Sequence, residues 1–196
     1  MSENEHSLDS VTRSERPGQL KKTIVMVGMM GAGKTAVGRA LAARLAAPFL
    51  DSDHEIEAAA NMTIPEIFAR DGEPFFREKE TQVISRLLQE ERGVLSTGGG
   101  AFLAERNRDL ITAHGVSIWL NADLEVLWNR VRHKDTRPLL RTPDPRATLE
   151  GLYHQRVPLY SQADLMVESD GVSSIEDMVD KVLAALKQRP DVLDWE

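Results

Sequence analysis

The run Gly28-Met-Met-Gly-Ala-Gly-Lys-Thr35 constrains this chain more than any other feature. It fits G-x-x-x-x-G-K-[ST] and stands between segments of two different periodicities. Upstream, residues 23–27 read Thr-Ile-Val-Met-Val, a continuous β-rich run of the kind buried in parallel sheets. Downstream, Val37, Ala40, Leu41 and Leu45 recur at helical spacing. Strand, glycine loop and helix in that order let backbone N–H groups converge on phosphate oxygens at a helix N-terminus. Lys34 would reach the β- and γ-phosphates, and the Thr35 hydroxyl is placed to ligate Mg2+. A nucleotide phosphate site is the leading expectation.

The rest of the chain repeats this alternation. Short apolar runs at 23–27, 49–51, 94–97, 116–120 and 165–167 are separated by helical segments. Leu41 and Leu45 mark the first of these. Val83, Leu87 and Leu88 mark a second, Leu124, Leu127 and Val131 a third, and Ile175, Met178, Val182, Leu183 and Leu186 the last. Alternating strands and helices predict an α/β fold with a parallel sheet covered on both faces, and ligands gathered at the carboxyl ends of its strands. At 196 residues with 41% hydrophobic content, one domain is expected. Residues 1–20 are polar and aperiodic and read as a flexible arm, while residues 189–196 read as a loose tail. No cysteine is present, which excludes disulfides and thiolate metal sites and agrees with a cytoplasmic setting. The first twenty residues lack a signal-peptide core, and no run approaches membrane-spanning length. A net charge of −7 argues against a general nucleic-acid binder but not against a local anion pocket.

Several residues beyond the loop carry chemistry. Asp51 and Asp53 follow the second strand end, where one can hold Mg2+ through water and the other accept a substrate proton. A competing reading makes them a helix start, with Asp53 as N-cap. A calcium loop is excluded, since Ile56 and Met62 occupy the positions that need glycine and glutamate. Arg77, flanked by Phe75 and Phe76, suits a small carboxylate; its competing reading is a surface pair with Glu80. Gly98-Gly99-Gly100 follows the third strand run and leaves its backbone open to a ligand, with the Thr97 hydroxyl beside it. The basic segment holding Arg130, Arg132, His133, Lys134, Arg137 and Arg141 can close over a nucleotide, with Arg130, Lys134 and Arg141 read as solvated charges. The histidines show no zinc spacing.

Taken together these residues resemble the shikimate kinase family. The resemblance rests on Gly28-Met-Met-Gly-Ala-Gly-Lys-Thr35, Asp51-Ser-Asp53 with Ile56-Glu57, Ile64-Pro-Glu-Ile-Phe68, Phe76-Arg77, Thr97-Gly-Gly-Gly-Ala101, Arg137-Pro-Leu-Leu140 and the stretch from Arg156 to Tyr160. It spans residues 21–188 and implies a three-layer α/β/α P-loop NTPase domain, nucleoside-monophosphate-kinase-like, with a five-stranded parallel sheet in the order 2-3-1-4-5. It implies ATP-dependent phosphorylation of the shikimate 3-hydroxyl, a step of chorismate and aromatic amino-acid biosynthesis, with Mg2+ as cofactor. Within it, Gly31, Ala32, Gly33, Lys34, Thr35 and Arg137 match ATP contacts. Asp53, Arg77, Gly98, Gly99, Gly100 and Arg156 match the shikimate site, and Thr35 and Asp51 match the metal shell. Lys34, Asp53 and Arg137 match the catalytic set. The shikimate-binding segment falls at about 51–80 and a lid at about 130–141. A monomer with no nucleic-acid or membrane partner is expected. A gluconate kinase and a nucleotide switch are the alternatives; against the second, this chain has no Asn-Lys-x-Asp guanine-recognition run. Whether Asp53 deprotonates the acceptor hydroxyl or orients it stays open.

Overall fold

The computed structural model describes residues 17–133 and 140–196. In chain order its elements are β1 (Pro17–Leu20), β2 (Thr23–Val27), α1 (Lys34–Arg44), β3 (Phe49–Asp51), α2 (Ser52–Ala60), α3 (Ile64–Asp71) and α4 (Glu73–Glu90). Then come β4 (Val94–Ser96), a 3-10 turn (Ala101–Leu103), α5 (Glu105–His114), β5 (Gly115–Ala122), α6 (Leu124–Val131) and α7 (Pro145–Tyr160). β6 (Leu165–Ser169), α8 (Ile175–Leu186) and β7 (Leu193–Trp195) complete the chain.

All five residues of β2 are buried, although successive side chains point to opposite faces, so helices must cover the sheet on both sides. α1 and α8 pack on each other and against β3, β4 and β6, while α5 packs on β5 and on α4. The sheet is five-stranded and parallel, in the order β3-β4-β2-β5-β6. Counted from β2 this is 2-3-1-4-5, as expected. β2 lies at the centre, with Ile24 opposite Val94 on one side and Val116 on the other. β6, at one edge, alternates exposed and buried residues, and Met166 on it is half exposed. Ridges of Ile24, Met26, Leu41, Leu95, Ile118 and Leu120 fill the core.

The ends of the chain depart from expectation. Residues 17–20, assigned to the arm, form β1, and residues 193–195, assigned to the loose tail, form β7; the two pair antiparallel, with Leu20 opposite Leu193. Burial explains it: Val192 and Leu193 are wholly buried, and Trp195 stacks under the Lys187 ammonium at 5.1 Å. Residues 1–16 lie outside the described residues. Four helices, α2, α3, α5 and α7, lie outside the helical segments read from periodicity. α7 shows why, since its buried positions are Leu149, Arg156 and Tyr160, a stripe that hydropathy does not mark. Among the described residues no helix is long and apolar enough to cross a membrane.

Candidate active site

At the carboxyl end of β2 the backbone enters the left-handed region at Gly31 and Gly33, φ 82° and 99°. Gly33 is the N-cap of α1. At Gly31 an added Cβ would also stand 2.8 Å from Val131 Cγ1, so α6 sits directly on the loop. Lys34 opens α1 and folds back, its ammonium donating to Gly28 O at 2.8 Å and Met29 O at 3.0 Å. Gly31, Ala32, Gly33, Lys34 and Thr35 border a cavity of about 540 Å3, and Asp51, Asp53, Thr97, Gly98 and Gly99 close its other side. Arg130 donates to Gly31 O at 2.9 Å and to Ser169 Oγ at 3.3 Å, at the mouth of this cavity. That corrects its reading as a solvated charge: the helical turn of α6 aims it at the loop. Arg132 is exposed and donates to His133 Nε2 at 3.0 Å. Arg137 lies outside the described residues, as does half of the segment expected to be a lid.

Asp51 ends β3 and is the N-cap of α2, with Oδ1 accepting from His54 N at 3.1 Å. The cap is therefore Asp51 and not Asp53, and capping leaves Asp51 at the edge of the cavity. Asp53, in the first turn of α2, has its Oδ1 sealed from solvent without a hydrogen-bond partner in the protein. Burial, and then the charge of Asp51, pushes its carboxyl up to about 6, against the pull of Lys34 and Arg77.

Each glycine of the run after β4 makes room for one polar side chain. A Cβ on Gly98 would lie 2.7 Å from Asp53 Oδ1, one on Gly99 3.0 Å from Arg156 Nη1, and one on Gly100 2.6 Å from Arg77 Nη1. Three side chains from α2, α7 and α4 thus converge on one stretch of bare backbone. Thr97, by contrast, donates its hydroxyl to Met26 O at 3.1 Å, and so ties β4 to β2.

The arginines are held from behind. Arg77 Nη1 donates to Glu80 Oε1 at 3.0 Å, its Nε and Nη2 approach Glu73 Oε1 at 3.3 Å, and its guanidinium stacks 5.2 Å from the Phe76 ring. The pair with Glu80, read from sequence as a competing surface contact, exists but is not on the surface, since Glu80 is 1% exposed. Burial pushes Glu80 up to about 7 despite the nearby Arg77 charge, and its Oε2 has no protein partner. Arg156, 5% exposed on α7, likewise has a buried, unpartnered Nε. Tyr160, one turn later, donates its hydroxyl to Gly99 O. Burial raises the Tyr160 phenol, which keeps it a donor. Two guanidiniums with buried, incompletely partnered polar atoms around them form a socket for a small anion with hydrogen-bonding groups.

Glu80 and Tyr160 are not among the site residues of the sequence reading, which has Glu80 only as a surface partner of Arg77 and Tyr160 only as the end of a matching stretch. A signal for Glu80 was there: with Phe76, Val83, Ile84 and Leu87 it occupies the apolar stripe of α4, and a carboxylate on such a stripe needs a buried cation.

A protein-family model described as shikimate kinase matches residues 30–187. The chain is 70% identical over 194 residues to a shikimate kinase of Ruegeria pomeroyi, covering 99% of each. It is 68% identical over 176 residues to one of Cereibacter sphaeroides, covering 90% of this chain and 88% of that one. Among solved structures, the shikimate kinase from Acinetobacter baumannii in complex with shikimate superposes with a TM-score of 0.81 at 39% identity, over 86% of this chain and 94% of that one.

Proposed function

The chain belongs to the shikimate kinase family, and from that premise we propose how its own residues carry the reaction. It transfers the γ-phosphoryl group of ATP to the 3-hydroxyl of shikimate, giving shikimate 3-phosphate and ADP. The observation that carries the assignment of residues is the convergence of Asp53, Arg156 and Arg77 on Gly98, Gly99 and Gly100, a cluster whose Asp53, Gly98 and Gly99 border the same cavity as the phosphate loop.

Arg77 and Arg156 bind the ring carboxylate, each through a planar fork that a carboxylate matches. The bare backbone of Gly98, Gly99 and Gly100 lets the ring approach. Asp53, its Oδ1 sealed and unpaired, accepts a hydrogen bond from the attacking hydroxyl and takes its proton late, because phosphoryl transfer is largely dissociative. The backbone of Gly31, Ala32 and Gly33 cradles the phosphates of ATP. Lys34 exchanges its carbonyl partners for phosphate oxygens and neutralises charge as the group moves. Arg137, at the head of the matching Arg-Pro-Leu-Leu sequence, adds a cation from the lid.

The metal shell fits Mg2+. Thr35 and Asp51 bring hard oxygen donors from two elements to the same cavity, a sparse set of the kind that would hold Mg2+ together with water and phosphate oxygens. When bound, the ion supplies charge neutralisation between the phosphates.

ADP release, measured with shikimate, quinate, gluconate or buffer alone as the arms, tests the assignment. Shikimate should accelerate it strongly over every other arm. Acceleration by gluconate instead, or release that ignores the acceptor, would overturn it.

A further inference from the structure

Behind the acceptor socket a buried amide joins two of its walls. Asn107, in the first turn of α5, is 1% exposed. Its Nδ2 donates to Ala101 O at 2.8 Å, the residue that directly follows the glycine run. Its Oδ1 lies 2.8 Å from Thr81 Oγ1, on α4 four residues after Arg77. The orientation of the amide is forced: Ala101 O can only accept, so Nδ2 faces it, and Oδ1 is left needing a donor. Thr81 has one proton and two acceptors in reach, Arg77 O at 3.1 Å and Asn107 Oδ1 at 2.8 Å. The shorter contact goes to a group with no other donor among the described residues, whereas an i−4 back-bond is a weak alternative for a helical threonine.

We propose that Asn107 is a positioning residue for acceptor binding: its amide fixes the gap between the glycine run and the helix that carries Arg77. This rests on the acceptor-site reading of Arg77 and Gly100 given above. The gap matters because the Arg77 guanidinium already lies against Gly100, with its Nη1 2.6 Å from where a Cβ would stand. The local turn is closed by Ala101 N to Gly98 O at 3.1 Å and Leu103 N to Gly100 O at 3.2 Å, so the run moves as one piece with Ala101. A displacement of Ala101 therefore reaches the backbone that meets the ring. Arg106 adds a longer contact from the same helix, donating to Arg77 O at 3.4 Å. The phosphate loop receives nothing from Asn107, so loss of the amide should separate the two substrates.

The variants Asn107→Ala, Asn107→Asp and Thr81→Val test this, with Arg77→Lys in parallel, by steady-state kinetics and by thermal unfolding. Both Asn107 variants should raise KM for shikimate about tenfold or more, with KM for ATP held within about twofold, since small misplacements at a substrate clamp are costly. Thr81→Val should move the same parameter by less. Asn107→Asp supplies a further readout, because its ionised carboxylate repels Ala101 O whereas its protonated form restores a donor there. Its KM for shikimate, taken as a ratio to the unsubstituted enzyme at each pH, should fall as pH is lowered. Equal rises for both substrates, no rise, a ratio that ignores pH, or failure of all three variants to fold would overturn the proposal. If Arg77→Lys itself leaves KM for shikimate unchanged, it is the acceptor-site reading that fails; if only that variant raises it, Asn107 is not a positioning residue.

Discussion

The two walls of the cavity are built in opposite ways. The phosphate wall is one continuous stretch, residues 28–35, whose donors are mostly backbone and whose shape is set by glycines in the left-handed region. The acceptor wall borders the cavity through Asp53, Gly98 and Gly99 and is joined by Arg77 of α4 and Arg156 of α7, which meet Gly100 and Gly99; its chemistry lies in side chains that are buried and only partly satisfied. Backbone donors need little support, because the helix start itself aims them. Buried charges need partners, and here Glu80 supplies one to Arg77 from behind, while Tyr160 ties α7 to the glycine run through Gly99 O. The phosphate wall should therefore fail by losing turnover, and the acceptor wall by losing affinity for one substrate.

The largest expected effect is on the phosphate wall. Lys34→Ala should lower kcat by roughly two to three orders of magnitude, about 2.7–4 kcal/mol of transition-state stabilisation, while leaving shikimate binding intact. Equilibrium binding of shikimate to the variant, measured beside kcat at saturating MgATP, checks both halves. Near-normal kcat would erase the division between the walls.

On the acceptor wall, Arg77→Lys and Arg156→Lys should each raise KM for shikimate by about tenfold or more, because an ammonium cannot reproduce the two-pronged contact. Equal changes in both KM values would point to a fold defect. A glycine pair sharpens the contrast. Gly100→Ala meets the end of a movable side chain, so the protein should fold normally and bind shikimate several-fold more weakly. Gly31→Ala meets Val131 Cγ1 at 2.8 Å with φ at 82°, so it should cost stability, by roughly 1–3 kcal/mol, and nucleotide affinity. Thermal midpoints with and without each substrate separate the two outcomes.

The smallest effect is the pH dependence, which belongs to the acceptor wall alone. With Asp53 held at about 6, kcat/KM for shikimate should fall on the acid side near that value, and the fall reports the free enzyme. Stability should run the other way. Asp53 and Glu80 start from 3.8 and 4.5 and rise to about 6 and about 7 on folding, so the folded chain binds more protons between those limits and loses stability as pH rises through them. Asp170 and Asp191, held below the usual carboxylate range by local hydrogen bonds and Arg189, titrate below this window and do not oppose it. A thermal midpoint that declines by a few degrees from about pH 5 to about pH 8, with a flatter slope for Asp53→Asn, is the expected record. A midpoint that climbs instead would show that neither carboxyl is perturbed as described.

Sequence by itself determined the phosphate loop and the alternation of strands with helices. Both are local: a loop of fixed spacing between a β-run and an amphipathic helix can be recognised without knowing what packs on it. It also named Asp53, Arg77, the three glycines and Arg156, through their order along the chain and the family they resemble, but not why they sit together. Only the tertiary structure decided that each glycine faces one of those side chains, that Glu80 is buried behind Arg77, that Arg130 turns onto the loop, and that the chain ends pair through Leu20 and Leu193. Such contacts join residues far apart in the chain, and α7 presents Arg156 and Tyr160 on its buried face, where periodicity looks for apolar groups. Burial converts those polar residues into a site, and burial is a property of packing that no local pattern contains.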